Sequence, residues 1–73
     1  MNYKRLVHRK FLEFLKECPD WSLGQIMYHT MIMHNKFGDF KKKDFLQLTD
    51  KEVYSAMSKA LAYEIETREY DLD

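Results

Sequence analysis

Apolar side chains recur along this chain with the period of a helix, in three separate stretches. Near the start, at about 100° per residue, Tyr3, Val7, Phe11, Phe14, Leu15 and Cys18 fall in one arc. Arg5, Arg9, Glu13 and Lys16 fall opposite them. The pattern predicts an amphipathic helix over about residues 3–17 with an aromatic stripe toward the core. Pro19 disfavours helical geometry at Cys18 and so closes the run.

The stretch "CPDWSLGQ" at 18–25 then reads as a corner that starts the next helix. Ser22 and Gln25 have the spacing of a capping box, in which each side chain accepts from the other residue's amide. Trp21 and Ile26 take the flanking staple positions. The helix is expected over about 23–35, with Gly38 as its stop. Gly24 has no capping role; it either lets another backbone come close or is simply tolerated.

The same device returns in "LTDKEV": Thr49 and Glu52 form the box, Leu48 and Val53 the staple. Asp50 in the first turn suits the helix dipole. A third helix is expected over about 50–67. Its inner face would be Val53, Tyr54, Met57, Ala60, Leu61 and Ile65, with Glu52, Ser55, Lys59 and Glu66 outside. Between the second and third helices, "KFGDFKKKDFLQL" has no clear period. It reads as a loop with a short helical turn, Phe37, Phe40, Phe45 and Leu46 plugging the core; a strand at 45–48 would lack a partner. The expected fold is therefore all-α: one small three-helix domain spanning 1–73, with a short irregular or 3-10 segment before the last helix.

Composition narrows the function. Apolar content of 45% and aromatic content of 15% are too high for a disordered chain. A domain of 73 residues hides only about 60% of its unfolded surface, so self-association would help it. Cys18 is the one cysteine, which rules out an intrachain disulfide and fits a reducing cytoplasm. No uncharged apolar leader and no bilayer-spanning run is visible, so a cytoplasmic protein without a membrane role is expected. The net charge is zero but uneven. Residues 1–48 carry nine Lys/Arg against five Asp/Glu (+4), and residues 49–73 carry three against seven (−4). Opposed halves of this kind can attract between copies.

The candidate contact surface lies on the middle helix. Leu23, Ile26, Met27, Thr30, Met31, Met33 and His34 form a broad arc toward the presumed core. Tyr28 and Ile32 lie on the other side, beside Gln25, His29 and Lys36. A three-helix domain offers that second patch no internal partner, so it reads as an interface for a protein partner or a second copy. The competing reading is that residues 37–48 fold back over it. The alternative function is nucleic-acid binding through Arg5, Arg9 and the Lys41, Lys42, Lys43 run, flanked by Phe40 and Phe45. Against it stand the sequence pI of 6.8 and an acidic third helix.

No catalytic residue, metal site, cofactor or small-molecule substrate is expected. His29 and His34, five apart, point about 140° from each other on a helix, which is wrong for joint chelation. Cys18, on an apolar arc, reads as a buried thiol rather than a nucleophile. The methionines read as packing, and Glu64 as an ion-pair partner, either for Arg68 four residues on or for a base elsewhere. Pro19-Asp20-Trp21-Ser22-Leu23-Gly24-Gln25, followed by Tyr28 and by Leu48-Thr49-Asp50-Lys51-Glu52, resembles small uncharacterised bacterial and phage-associated helical proteins. These carry a P-D-x-x-L-G-Q stretch and a later T/S-D-x-E helix start. The resemblance implies no enzymatic activity and an accessory protein of a phage or mobile element that works by contact.

Overall fold

The computed structural model describes residues 1–37 and 44–71, and those residues form an all-α fold. Helix α1 spans Tyr3–Glu17, α2 Leu23–Phe37 and α3 Asp50–Asp71, with a 3-10 turn at Phe45–Gln47 before α3. No strand occurs among the described residues. Helix α1 has the bounds read from its periodicity; α2 runs two residues and α3 four residues beyond the expected ends. Gly38, the expected stop of α2, lies outside the described residues, as does Phe40.

Local hydrogen bonds explain where each helix starts. At α2 the Ser22 N–H donates to Gln25 Oε1 at 2.7 Å, and the Gln25 N–H donates to Ser22 Oγ at 3.1 Å. At α3 the Thr49 N–H donates to Glu52 Oε1 at 3.0 Å, and the Glu52 N–H to Thr49 Oγ1 at 3.3 Å. Both boxes therefore satisfy two of the amides a helix start would otherwise leave open. A third cap went unread in the sequence: Asn2 Oδ1 accepts from the Arg5 N–H at 3.3 Å. The α1–α2 corner is a tight turn in which the Trp21 N–H donates to the Cys18 carbonyl at 3.0 Å, with Pro19 in the position its fixed φ favours. Among the described residues a Cβ placed on Gly24 would meet only Ser22 Oγ at 3.8 Å, so none of their backbone approaches it and the glycine has no close-packing role there.

Helix α3 is the centre of the packing, with α1 on one side and α2 on another. Tyr3 sits 6.2 Å from Tyr54 ring to ring, while Arg68 bonds to Glu17 at the far end, so α1 and α3 run in the same direction. Phe14, Ile26 and Met57 are fully buried, joined by Cys18, Met33, Ala60 and Leu61. Burying each of the three large side chains contributes about 1.5–3 kcal/mol. Ala56 and Ala60, both buried, are short enough to let the neighbouring helices come close.

A helix wedged between two others buries more than one face, and this corrects several expectations. Glu52, expected outside, is 6% exposed because its capping carboxylate is drawn in beside the core. Ile65, expected inside, is 40% exposed. On α2 only a narrow stripe meets α3: Ile26, Thr30, Met33 and His34 are buried. Leu23 and Met27, placed on the core arc by periodicity, are 58% and 38% exposed. Thr30 keeps its hydroxyl satisfied in the core by donating to the Ile26 carbonyl at 2.8 Å. Leu46 does not plug the core. It is 91% exposed, in a turn closed by Asp44, whose Oδ1 accepts from the Leu46 N–H at 3.1 Å.

Candidate functional site

Two helical stripes lie near a concave part of the described surface. On α2, Tyr28, Ile32 and Lys36 follow one another at four-residue steps, and so lie on one side of the helix. On α3, Lys59, Ala62, Tyr63 and Glu66 have the i, i+3, i+4, i+7 spacing that also aligns on one side. Between them lies a groove of about 240 Å³, lined on the α2 side by His29, Ile32, Met33 and Lys36. Ala60, Tyr63 and Glu64 line the other side. A broader hollow of about 460 Å³ adjoins it, bordered by Met33, Lys59, Ala62, Tyr63 and Glu66. The two share Met33 and Tyr63 as a common border and together furrow this part of the surface.

Each side chain of the candidate interface has a definite place. His29 is half-buried because its ring stacks on Trp21 at 4.3 Å, and Trp21 in turn packs on Phe14 at 5.7 Å. The aromatic corner thus fixes the wall of the furrow. Tyr28 meets the His29 ring edge-on at 5.9 Å and is 57% exposed. Ile32 is half-buried and Lys36 exposed. Gln25 is exposed, but its side chain belongs to the α2 cap. Three of the five residues singled out on α2, His29, Ile32 and Lys36, therefore line one groove, while Tyr28 is not among its lining residues and touches only the His29 ring. The suggestion that residues 37–48 cover this patch concerns a stretch whose residues 38–43 lie outside the described residues.

The α3 half of the furrow was missed in the sequence. Tyr63 is 50% exposed at its centre. The spacing of Lys59, Ala62, Tyr63 and Glu66 carried a signal for it, masked by the richer apolar periodicity of the same helix.

The alternative site is only partly in view. Arg5 and Arg9 are exposed and, with Lys4, His8 and Leu12, border a shallow concavity of about 410 Å³ on α1. Lys41, Lys42 and Lys43 lie outside the described residues.

At the C-terminal end of α1, Arg68 does not turn to Glu64. Its guanidinium donates to the Glu17 carbonyl, to the Glu17 carboxylate at 3.4 Å and to Cys18 Sγ at 3.0 Å. A cation at the negative end of a helix dipole, closing its last carbonyls, ties α3 to α1. Burial pushes the Cys18 thiol up from its ordinary range, and the nearby Arg68 charge offsets part of that rise. A buried, protonated sulfur accepting from Arg68 is a structural group in this setting. Among the described residues no three His, Cys, Asp or Glu side chains converge so as to hold a metal ion. Among the same residues no helix is long and apolar enough to cross a membrane.

The chain matches no family model, no curated protein and no solved structure.

Proposed function

We propose that this chain is a small protein-interaction domain that acts by docking, with no catalysis of its own, and that the furrow between α2 and α3 is its contact surface. The observation that carries this is the furrow's make-up. A half-exposed Tyr63 and a half-buried Ile32 sit among Lys36, Lys59, Glu64 and Glu66, the mixture of aromatic anchor and polar surround found at protein interfaces. A cytoplasmic setting suits the single buried thiol. An accessory role in a phage or mobile element is what the resemblance of the 19–25 and 48–52 stretches adds.

A photo-crosslinking side chain at Ile32, compared with one at exposed Lys16 on α1, tests this in the native cell. Adducts with polypeptide at position 32 and none at position 16 are expected. Absence of adducts at position 32, or equal yields at the two sites, would sink the reading.

One observation favours a second function. Lys4, Arg5, His8 and Arg9 share an exposed side of α1, a short basic strip that can sit along a phosphate backbone. Binding to duplex and single-stranded DNA should then weaken steeply as salt rises, and an Arg5→Ala/Arg9→Ala variant should flatten that salt dependence. No binding at low ionic strength ends this reading.

A further inference from the structure

Resting on the second of these readings, we infer that the outer face of α1 binds a nucleic-acid duplex, and that it does so through the phosphate backbone with no recognition of base sequence.

The face is set by what the core leaves uncovered. Val7, Phe11 and Phe14 belong to the core, while Lys4, Arg5, His8, Arg9, Leu12 and Lys16 are exposed. The exposed six fall within an arc of about 140° and over about 18 Å of helix. Four of them are Lys or Arg, and none of the four makes an ion pair among the described residues. The two acids of α1 are both engaged elsewhere. Glu13 is held by Lys10 at 2.9 Å, and Glu17 by Arg68 at 3.4 Å. The face therefore carries uncompensated positive charge although the whole chain is neutral. Screening by salt beyond about 10 Å lets such a local excess act independently of the net charge.

A polyanion with regularly spaced charges complements a strip of this kind. The strip itself holds no exposed aromatic ring: Tyr3 lies against Tyr54 at 6.2 Å, and Phe11 is half-buried against the core. Proteins that hold single strands use such rings as stacking platforms for bases, so a duplex is the better occupant. Nor does the strip offer an amide for base edges, since Asn2 Oδ1 is taken by the Arg5 N–H in the helix cap. What remains is contact with phosphates, which positions a protein on a duplex without reading its sequence. A bilayer surface fits less well. An interfacial helix buries an apolar face among the headgroups, whereas that of α1 is taken up by the core, and Leu12 is the one exposed apolar side chain in the strip.

Binding of the full chain to two unrelated duplexes, to their single strands and to phosphatidylserine vesicles, followed across salt, tests this. For four phosphate contacts, log K for either duplex should fall with log salt at a slope of about −3.6, from about 0.9 for each contact. Lys4→Ala and Lys16→Ala, at the two ends of the strip, should each make that slope shallower by about 0.9 with circular dichroism unchanged. The two duplexes should bind within about threefold of each other, and the single strands about tenfold less tightly. A single strand bound as tightly as its duplex overturns the inference but leaves the nucleic-acid reading standing. A preference of more than about tenfold between the two duplexes does the same, because phosphate contacts alone cannot produce it. A slope that neither variant changes takes the duplex off this face of α1. Vesicles bound at a salt concentration where neither duplex binds overturn the inference in favour of a bilayer. No binding to any nucleic acid at low ionic strength removes the inference and the reading beneath it together.

Discussion

The starts of α2 and α3 use the same hydrogen-bonding device in different surroundings. At α2 the box is made by Ser22 and Gln25, both exposed and both neutral. At α3 the matching side chain is the carboxylate of Glu52, 6% exposed beside the core. Two motifs that look alike in sequence thus stand on different energetic footings. The α2 cap is a local contribution set against water. The α3 cap also ties down a buried side chain, so losing it leaves polar groups short of partners in a part-buried setting. The comparison teaches that a capping box specifies where a helix begins but not what its loss costs.

Substitutions at the two corners can break that comparison. The largest effect is expected from Glu52→Ala, which should lower unfolding free energy by about 2 kcal/mol, since it removes a charged hydrogen bond in a buried setting. Glu52→Gln keeps the acceptor for the Thr49 N–H and isolates the charge; it should fall between Glu52→Ala and wild type in the same urea titration. Ser22→Ala should cost about 1 kcal/mol, the ordinary worth of an exposed cap. Equal losses for Ser22→Ala and Glu52→Ala would show that burial of Glu52 adds nothing. Gly24→Ala should stabilise by about 0.5 kcal/mol, because the site has room for the Cβ and no positive φ. A loss there, read as a lower Tm, would mean that something does approach this glycine. The smallest effect is expected from Gln25→Glu, which puts a carboxylate at an exposed helix start and should add about 0.3 kcal/mol, fading at high salt.

Much of the fold was legible because its signals are short. Ser22 to Gln25 and Thr49 to Glu52 each span three residues, and Pro19 acts on its immediate neighbour. The amphipathic pattern of α1 also read correctly, since α1 packs on α3 along one side and keeps Arg5, Arg9, Glu13 and Lys16 in water. Periodicity misled where that simple condition failed. Helix α3 has neighbours on two sides, so Glu52 went in and Ile65 stayed partly out. Helix α2 meets α3 along a narrow stripe, so Leu23 and Met27 remained exposed although their spacing marked them as core.

The candidate site divides in the same way. Tyr28, His29, Ile32 and Lys36 stood out in the sequence because one helix carried more apolar surface than a small domain needs. Their counterpart on α3, centred on Tyr63, did not, because a groove wall exists only once two helices are side by side. The stack of Trp21 on His29, eight residues apart, and the reach of Arg68 to Glu17, 51 residues apart, belong to the same class of fact.

The sequence by itself determined the helical class, the starts of α2 and α3 and the inward face of α1, because hydrogen bonds within one turn and a single-sided period are properties of neighbouring residues. Tertiary structure alone decided which acid was buried, which apolar side chains stayed in water and where a furrow opened. Burial depends on what arrives from elsewhere in the chain, and no local pattern encodes the number of sides from which it comes.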